Sequence, residues 1–163
     1  MKKSYLFYAF LIFGTIVMAQ DIPNHALGLR LGDSDGFGAE ISYQTGFSDI
    51  NRIEVDLGWG NGNLWNGYKL SGLFHWVNHL DGSFNWYYGF GGGLGSVDYK
   101  PAVVTDSDGG LFIFGAGNIG IEYQFEIPLI LSLDFRPELG IIGYDGALDN
   151  LDFDIGLGIR YVF

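Results

Sequence analysis

From His25 to the C-terminus, apolar side chains recur at every second position, the period of a strand with one apolar and one polar face. Leu27, Leu29 and Leu31 alternate with Ala26, Gly28, Arg30 and Gly32, and Phe37, Ala39, Ile41 and Tyr43 with Gly38, Glu40, Ser42 and Gln44. Ile53, Val55, Leu57 and Trp59 oppose Arg52, Glu54, Asp56 and Gly58; Tyr68, Leu70, Phe74 and Trp76 oppose Lys69, Ser71 and His75. Trp86, Tyr88, Phe90 and Leu94 face away from Tyr87, Gly89, Gly91, Gly93 and Gly95. Ile113, Ile119, Ile121, Tyr123 and Phe125 oppose Ala116, Asn118, Gly120, Glu122 and Gln124. Leu129, Leu131, Leu133 and Phe135 oppose Ser132, Asp134, Arg136 and Glu138, and Phe153 to Phe163 alternates with Asp152, Asp154, Gly156, Gly158 and Arg160. Between these eight segments lies turn chemistry, including Asp33 to Gly36, Gly46 to Asn51, Asn78 to Ser83 with His79, and Glu126 to Pro128. Short connections join antiparallel neighbours, so the pattern predicts an all-β, up-and-down meander of eight strands, closed into a barrel that leaves no sheet edge.

The first residues follow another rule. Lys2 and Lys3 precede an apolar run from Tyr5 to Val17, and Val17-Met18-Ala19 places small or apolar side chains before a cut, as in a secretory signal. Such a run is short for a membrane anchor. Residues 1–19 therefore read as a cleaved signal peptide and residues 20–163 as the barrel. Removing Lys2 and Lys3 takes the net charge from −11 to −13. So acidic a chain lacks the basic footprint of a nucleic-acid partner. The absence of Cys excludes disulfides and thiolate metal sites.

Alternation does not say which face is wet. A lipocalin-like soluble barrel holds apolar side chains around a small apolar ligand; a transmembrane barrel turns them toward lipid and packs polar groups inside. Of the 28 aromatics (14 Phe, 10 Tyr, 4 Trp), about fifteen lie on the apolar face, too much bulk for the narrow interior of eight strands. The other face carries many of the 27 glycines, useful where side chains converge. Charges are segregated on it: Arg30, Arg52, Lys69, Arg136 and Arg160 beside Glu40, Glu54, Asp56, Glu122, Asp134, Glu138, Asp152 and Asp154, with His75 among them. In a lumen these read as a mutually satisfying network, because an unpaired buried charge is expensive. Aromatics near strand ends, such as Tyr43, Trp59, Tyr68, Trp76 and Tyr123, suit two interfacial girdles. The transmembrane barrel is the favoured reading.

The segments Trp86 to Gly95, Gly120 to Phe125 and Arg160 to Phe163, with the signal and eight strands, resemble the small outer-membrane β-barrel domain of Gram-negative bacteria, the OmpA/OmpX-like class. The resemblance spans essentially the whole mature chain. It implies residence in the outer membrane, contact with its lipid and lipopolysaccharide, and insertion by the outer-membrane assembly machinery. Gly158, Tyr161 and Phe163 would form the C-terminal assembly signal; Gly156 stands where that signal usually has a polar residue.

Candidate chemistry is sparse. With the termini inward, the loops around Asp33 to Gly36, Asn61 to Gly67, Asp98 to Gly110 and Gly140 to Leu151 face outward and can meet a surface partner. Asp-Ser-Asp-Gly occurs twice, so Asp33, Asp35, Asp106 and Asp108 are weak divalent-cation candidates, although neither copy continues into a full calcium loop. Some barrels of this size modify lipid A with a Ser and His acyl-transfer site. Here His25, His75 and His79 all fall toward the terminal end, and there is no Gly-x-Ser-x-Gly elbow. No catalytic residue and no cofactor is expected, and eight strands leave no aqueous channel. The function expected is structural or adhesive.

Overall fold

The computed structural model of the chain describes residues 22–34, 37–61, 65–99, 110–143 and 150–163. Eight strands follow in order: β1 (His25–Ser34), β2 (Phe37–Gly46), β3 (Asn51–Asn61), β4 (Trp65–Asp81), β5 (Phe84–Tyr99), β6 (Gly110–Gln124), β7 (Leu129–Ile142) and β8 (Leu151–Val162). Each pairs antiparallel with the next, and β1 pairs with β8 from Ala26↔Val162 to Leu31↔Leu157, closing the barrel. Closure satisfies the ladder hydrogen bonds that an open sheet would leave at its edges. The short turns and both ends of the barrel chain share one end, called here the terminal end; the opposite one is the loop end.

The period of two becomes an inside and an outside. Leu27, Leu57, Leu133 and Ile159 are about half exposed on the outer wall, whereas Arg30, Asp56, Asp134 and Arg160 are buried within. The β4–β5 turn uses Gly82 at φ +57°, in the left-handed region that glycine enters without cost.

Two local expectations are corrected. Phe37 does not share the outer face with Ile41; it is buried in the lumen. Leu31 pairs with Ala39 but Ser34 pairs with Phe37, so the register shifts by one residue in the β1–β2 hairpin, and it is across this irregularity that Phe37 leaves the outward phase of β2. His79 is not in a turn. β4 runs on to Asp81, and His79 pairs with Asn85 across to β5.

Candidate functional site

The interior is the only part of the described molecule where charged chemistry is concentrated. It is built from strand parity and from glycines that make room. Large inward side chains lie opposite glycines on neighbouring strands: Arg30 opposite Gly158, Arg160 opposite Gly28, His75 opposite Gly89, Tyr87 opposite Gly120, Phe112 opposite Gly95 and Phe114 opposite Gly93. The side chains lie flat over these positions. A Cβ on Gly120 would fall 2.5 Å from Tyr87 Cζ, and one on Gly93 2.6 Å from Phe114 Cζ. Glycine on one strand is thus the condition for a bulky group on the next.

Three tiers fill the lumen. At the terminal end, Arg52 Nη1 donates to Glu122 Oε2 at 2.6 Å and Nε to His75 Nδ1 at 3.3 Å, while its guanidinium carbon lies 4.5 Å from the Tyr87 ring centroid. Asn85 donates to the other Glu122 oxygen.

The middle tier is a net of arginines and carboxylates. Arg30 donates to Asp134 through Nε at 3.1 Å and Nη2 at 2.6 Å, and through Nη1 to Asp154 at 2.6 Å and Glu40 at 3.2 Å. Arg136 reaches Glu40 at 3.0 Å, Glu54 at 3.2 Å and Asp56 at 2.6 Å. Arg160 joins Glu54 at 3.1 Å and donates to the hydroxyls of Ser42 and Ser132. Gln44 Nε2 donates to Glu54 as well. Arginine suits this role because its planar fork of donors can serve several carboxylates while fully buried.

At the loop end, Lys69 Nζ lies 3.0 Å from Glu138 and 3.8 Å from Glu40. Around it sits a tier missing from the sequence reading: Phe37, Leu73, Val97, Phe112, Phe114 and Ala116 are buried together, with Trp65 packed against them. The ammonium group lies 5.4 Å and 5.5 Å from the Phe37 and Phe114 ring centroids, within cation–π range. The signal for this tier was present in the alternation itself. Val97, Phe112 and Phe114 occupy inward-parity positions near the loop ends of β5 and β6.

Of the fourteen residues expected in a lumen network, the structure brings thirteen inside, His75 included; Asp152 is half-buried at the loop end of β8. Seven anions and five cations are therefore fully enclosed. Gly158 is inward, while Tyr161 and Phe163 are exposed on the outer wall. The Phe163 N–H donates to the His25 carbonyl at 3.0 Å, and the two rings stack at 5.8 Å. His25 Nδ1 and Tyr43 Oη are 2.8 Å apart. The acidic positions Asp33, Asp35, Asp106 and Asp108 lie outside the described side chains. Among the described residues no group of three or more His, Asp or Glu side chains has a metal-holding arrangement.

Among the described residues the aromatic girdle is denser at the terminal end. Tyr43, Phe47, Trp76, Trp86, Tyr88 and Tyr123 all lie toward the terminal end, with Trp76 and Tyr88 stacked at 5.5 Å. Trp59 and Tyr68, paired across β3 and β4, and Phe153 on β8 lie toward the loop end.

No family model matches the sequence, and no curated protein matches it. Solved structures do match its fold. The N-terminal β-barrel domain of Pseudomonas aeruginosa OprF superposes with a TM-score of 0.68 at 12% identity, over 86% of this chain and 98% of that one. Neisserial surface protein A gives 0.58 at 15%, over 85% and 94%. Ail, the attachment invasion locus protein of Yersinia pestis, gives 0.53 at 13%, over 87% and 100%. The fold is that of the small eight-stranded outer-membrane barrels, the OmpA/OmpX-like class.

Proposed function

We propose that the chain is an integral outer-membrane barrel of a Gram-negative bacterium with a structural or surface-interaction role and a closed, non-conducting lumen. The observation that carries this reading is the inversion of polarity. Twelve charged side chains are sealed inside, while the wall outside is aliphatic and aromatic. A water-soluble barrel of the ligand-binding type needs the opposite arrangement, because an exterior apolar surface of this extent would aggregate in water.

Export rests on residues 1–19 acting as a cleaved signal, and insertion on the outer-membrane assembly machinery reading the C-terminal strand. The surface role draws support from proteins of the same fold: one is titled a surface protein, another an attachment invasion protein, crystallised also with the heparin analogue sucrose octasulfate. The acidic outward connections of this chain do not favour a polyanion of that kind, so its partner would be neutral or basic. An acyl-transfer role is disfavoured by the histidines. Among the described residues the side-chain hydrogen-bond partners of His25 and His75 are Tyr43 and Arg52, with no serine nucleophile alongside.

Fractionation tests the reading. The protein should partition with outer membranes, require detergent for extraction, and migrate differently on gels before and after heating. Recovery in the soluble periplasmic fraction would overturn it. Replacing residues 100–109 with a short Gly-Ser connection should leave these properties intact and reduce any binding of the cells to host surfaces.

A further inference from the structure

The apolar wall is not the same height all round. On β1 the outward apolar run is Leu27 to Leu31, and on β3 it is Ile53 to Trp59. On β7 it extends from Leu129 to Ile141, and on β8 from Leu151 to Phe163. A strand rises about 3.3 Å per residue and tilts about 40°, giving about 2.5 Å per residue along the barrel axis. The runs then span about 10 Å on β1, about 15 Å on β3 and about 30 Å on β7 and β8. Run length is measured along each strand, so the barrel's shear does not create the difference.

The step is sharpest where β1 meets β8. Their pairing stops at Leu31↔Leu157. Beyond that point β8 continues with Ile155, Phe153 and Leu151, which are 67%, 60% and 53% exposed. On β1 the outward apolar run instead stops at Leu31, and the sequence that follows it, Gly32-Asp33-Ser34, supplies no further apolar side chain. The terminal end does not compensate, since His25, Tyr43 and Phe163 stack there at one level. The lowering is therefore at the loop end, where Leu31, Ala39 and Trp59, paired in turn across β1, β2 and β3, are the last outward apolar side chains of their strands.

Resting on the transmembrane reading above, we propose that the β1–β3 flank is an interaction surface for a locally thinned bilayer, with lipids of shorter hydrocarbon reach than those along β6–β8. A bilayer of uniform thickness would either carry its hydrocarbon past the end of the apolar run at Leu31 on β1 or expose Ile155 and Phe153 on β8 to water. Mismatch costs a fraction of a kcal/mol per Å, and thinning is the cheaper relief over one flank of a rigid barrel.

The chain has no cysteine, so single reporters can be placed cleanly. Ile41→Cys lies outward on β2 and Phe135→Cys outward at the middle of the β7 run; both sites are partly exposed on the wall. Each variant carries an environment-sensitive fluorophore and is folded into dioleoyl phosphatidylcholine containing a minor fraction of nitroxide-labelled dilauroyl phosphatidylcholine. Quenching at Ile41 should exceed that at Phe135 by about twofold or more, as short chains collect at the low flank. Equal quenching at both sites would overturn the proposal. Low quenching at Ile41 by labelled lipids of either chain length would also overturn it, and would point to a protein partner on that flank. Should one labelled variant fail to fold, Leu57→Cys on β3 and Leu133→Cys on β7 make the same comparison. Failure to enter bilayers at all, with normal folding in water, would sink the transmembrane reading instead.

Discussion

Each charged residue inside the barrel is held by several others, so the cost of removing one is set by what it leaves behind. Arg136 touches Glu40, Glu54 and Asp56 and is fully buried. Arg136→Ala would leave three carboxylates facing each other without their shared cation, a loss of about 3–5 kcal/mol. Arg136→Lys keeps the charge but cannot reach three acceptors from a planar fork, so it should fall between the variant and the wild type. Urea unfolding in lipid vesicles measures both; an unchanged midpoint for Arg136→Ala would show that the net is not a structural element. Glycines divide by the same local logic. A Cβ on inward Gly91 would lie 2.8 Å from Leu73 Cα, which is backbone and cannot move aside. A Cβ on outward Gly72 meets nothing within 4 Å. Gly91→Ala should destabilise by about 1–3 kcal/mol, whereas Gly72→Ala should be neutral or stabilising by up to about 1 kcal/mol.

At the scale of elements, the seam between the first and last strands is where closure is decided. Phe163 joins it through a backbone hydrogen bond to His25 and a ring stack on the same residue. Deleting Phe163 should lower accumulation in the outer membrane as well as the stability of the folded barrel. His25→Ala should leave accumulation unchanged and cost only the stack and the Tyr43 contact, about 0.5–1.5 kcal/mol, seen as a lower temperature for the gel-mobility shift. If Phe163 deletion left accumulation untouched, its role in assembly would be excluded and only the seam contact would remain. Strand parity is the part of this architecture that the sequence states openly. Leu27 to Leu31 and Leu129 to Phe135 each place one kind of side chain on one face, and a narrow barrel admits only the charged, glycine-rich face inside. Phe37 escaped that logic because the bulge before it is a matter of pairing, invisible in one strand alone. The lumen tier of Leu73, Val97, Phe112 and Phe114 escaped it for another reason: an apolar residue on the inward face does not announce itself, since most apolar residues of the strands lie on the outer wall. His79 was misplaced because Asn78 to Ser83 reads as turn chemistry, yet pairing with β5 carries β4 through it to Asp81. Which cation meets which carboxylate was not legible at all, because Arg30–Asp134 and Arg52–Glu122 join positions 104 and 70 residues apart.

For the whole molecule, the decisive quantity is what blocks the axis. The three tiers lie in series, so an ion crossing the barrel would have to pass all of them. The terminal tier is closed by Arg52 stacked on Tyr87 and bound to Glu122, and the loop-end tier by Phe37, Phe112 and Phe114 around Lys69. Between them, three arginines bind five carboxylates. Barrels of this strand number have an interior just wide enough for side chains, and aqueous channels need about twice as many strands. Planar-bilayer recordings should therefore show no stepwise conductance at the nanosiemens level. The arrangement in series makes a stronger statement than that. Replacing Phe37, Phe112 and Phe114 together by Ala opens only the loop-end tier, so the variant should lose stability, by several kcal/mol from the lost aromatic burial, and still not conduct. Conductance in that variant alone would mean that the aromatic tier is the seal and that the charged net is permeable to water and ions. Conductance in the wild type would remove the closed lumen from the proposed function while leaving the transmembrane barrel intact.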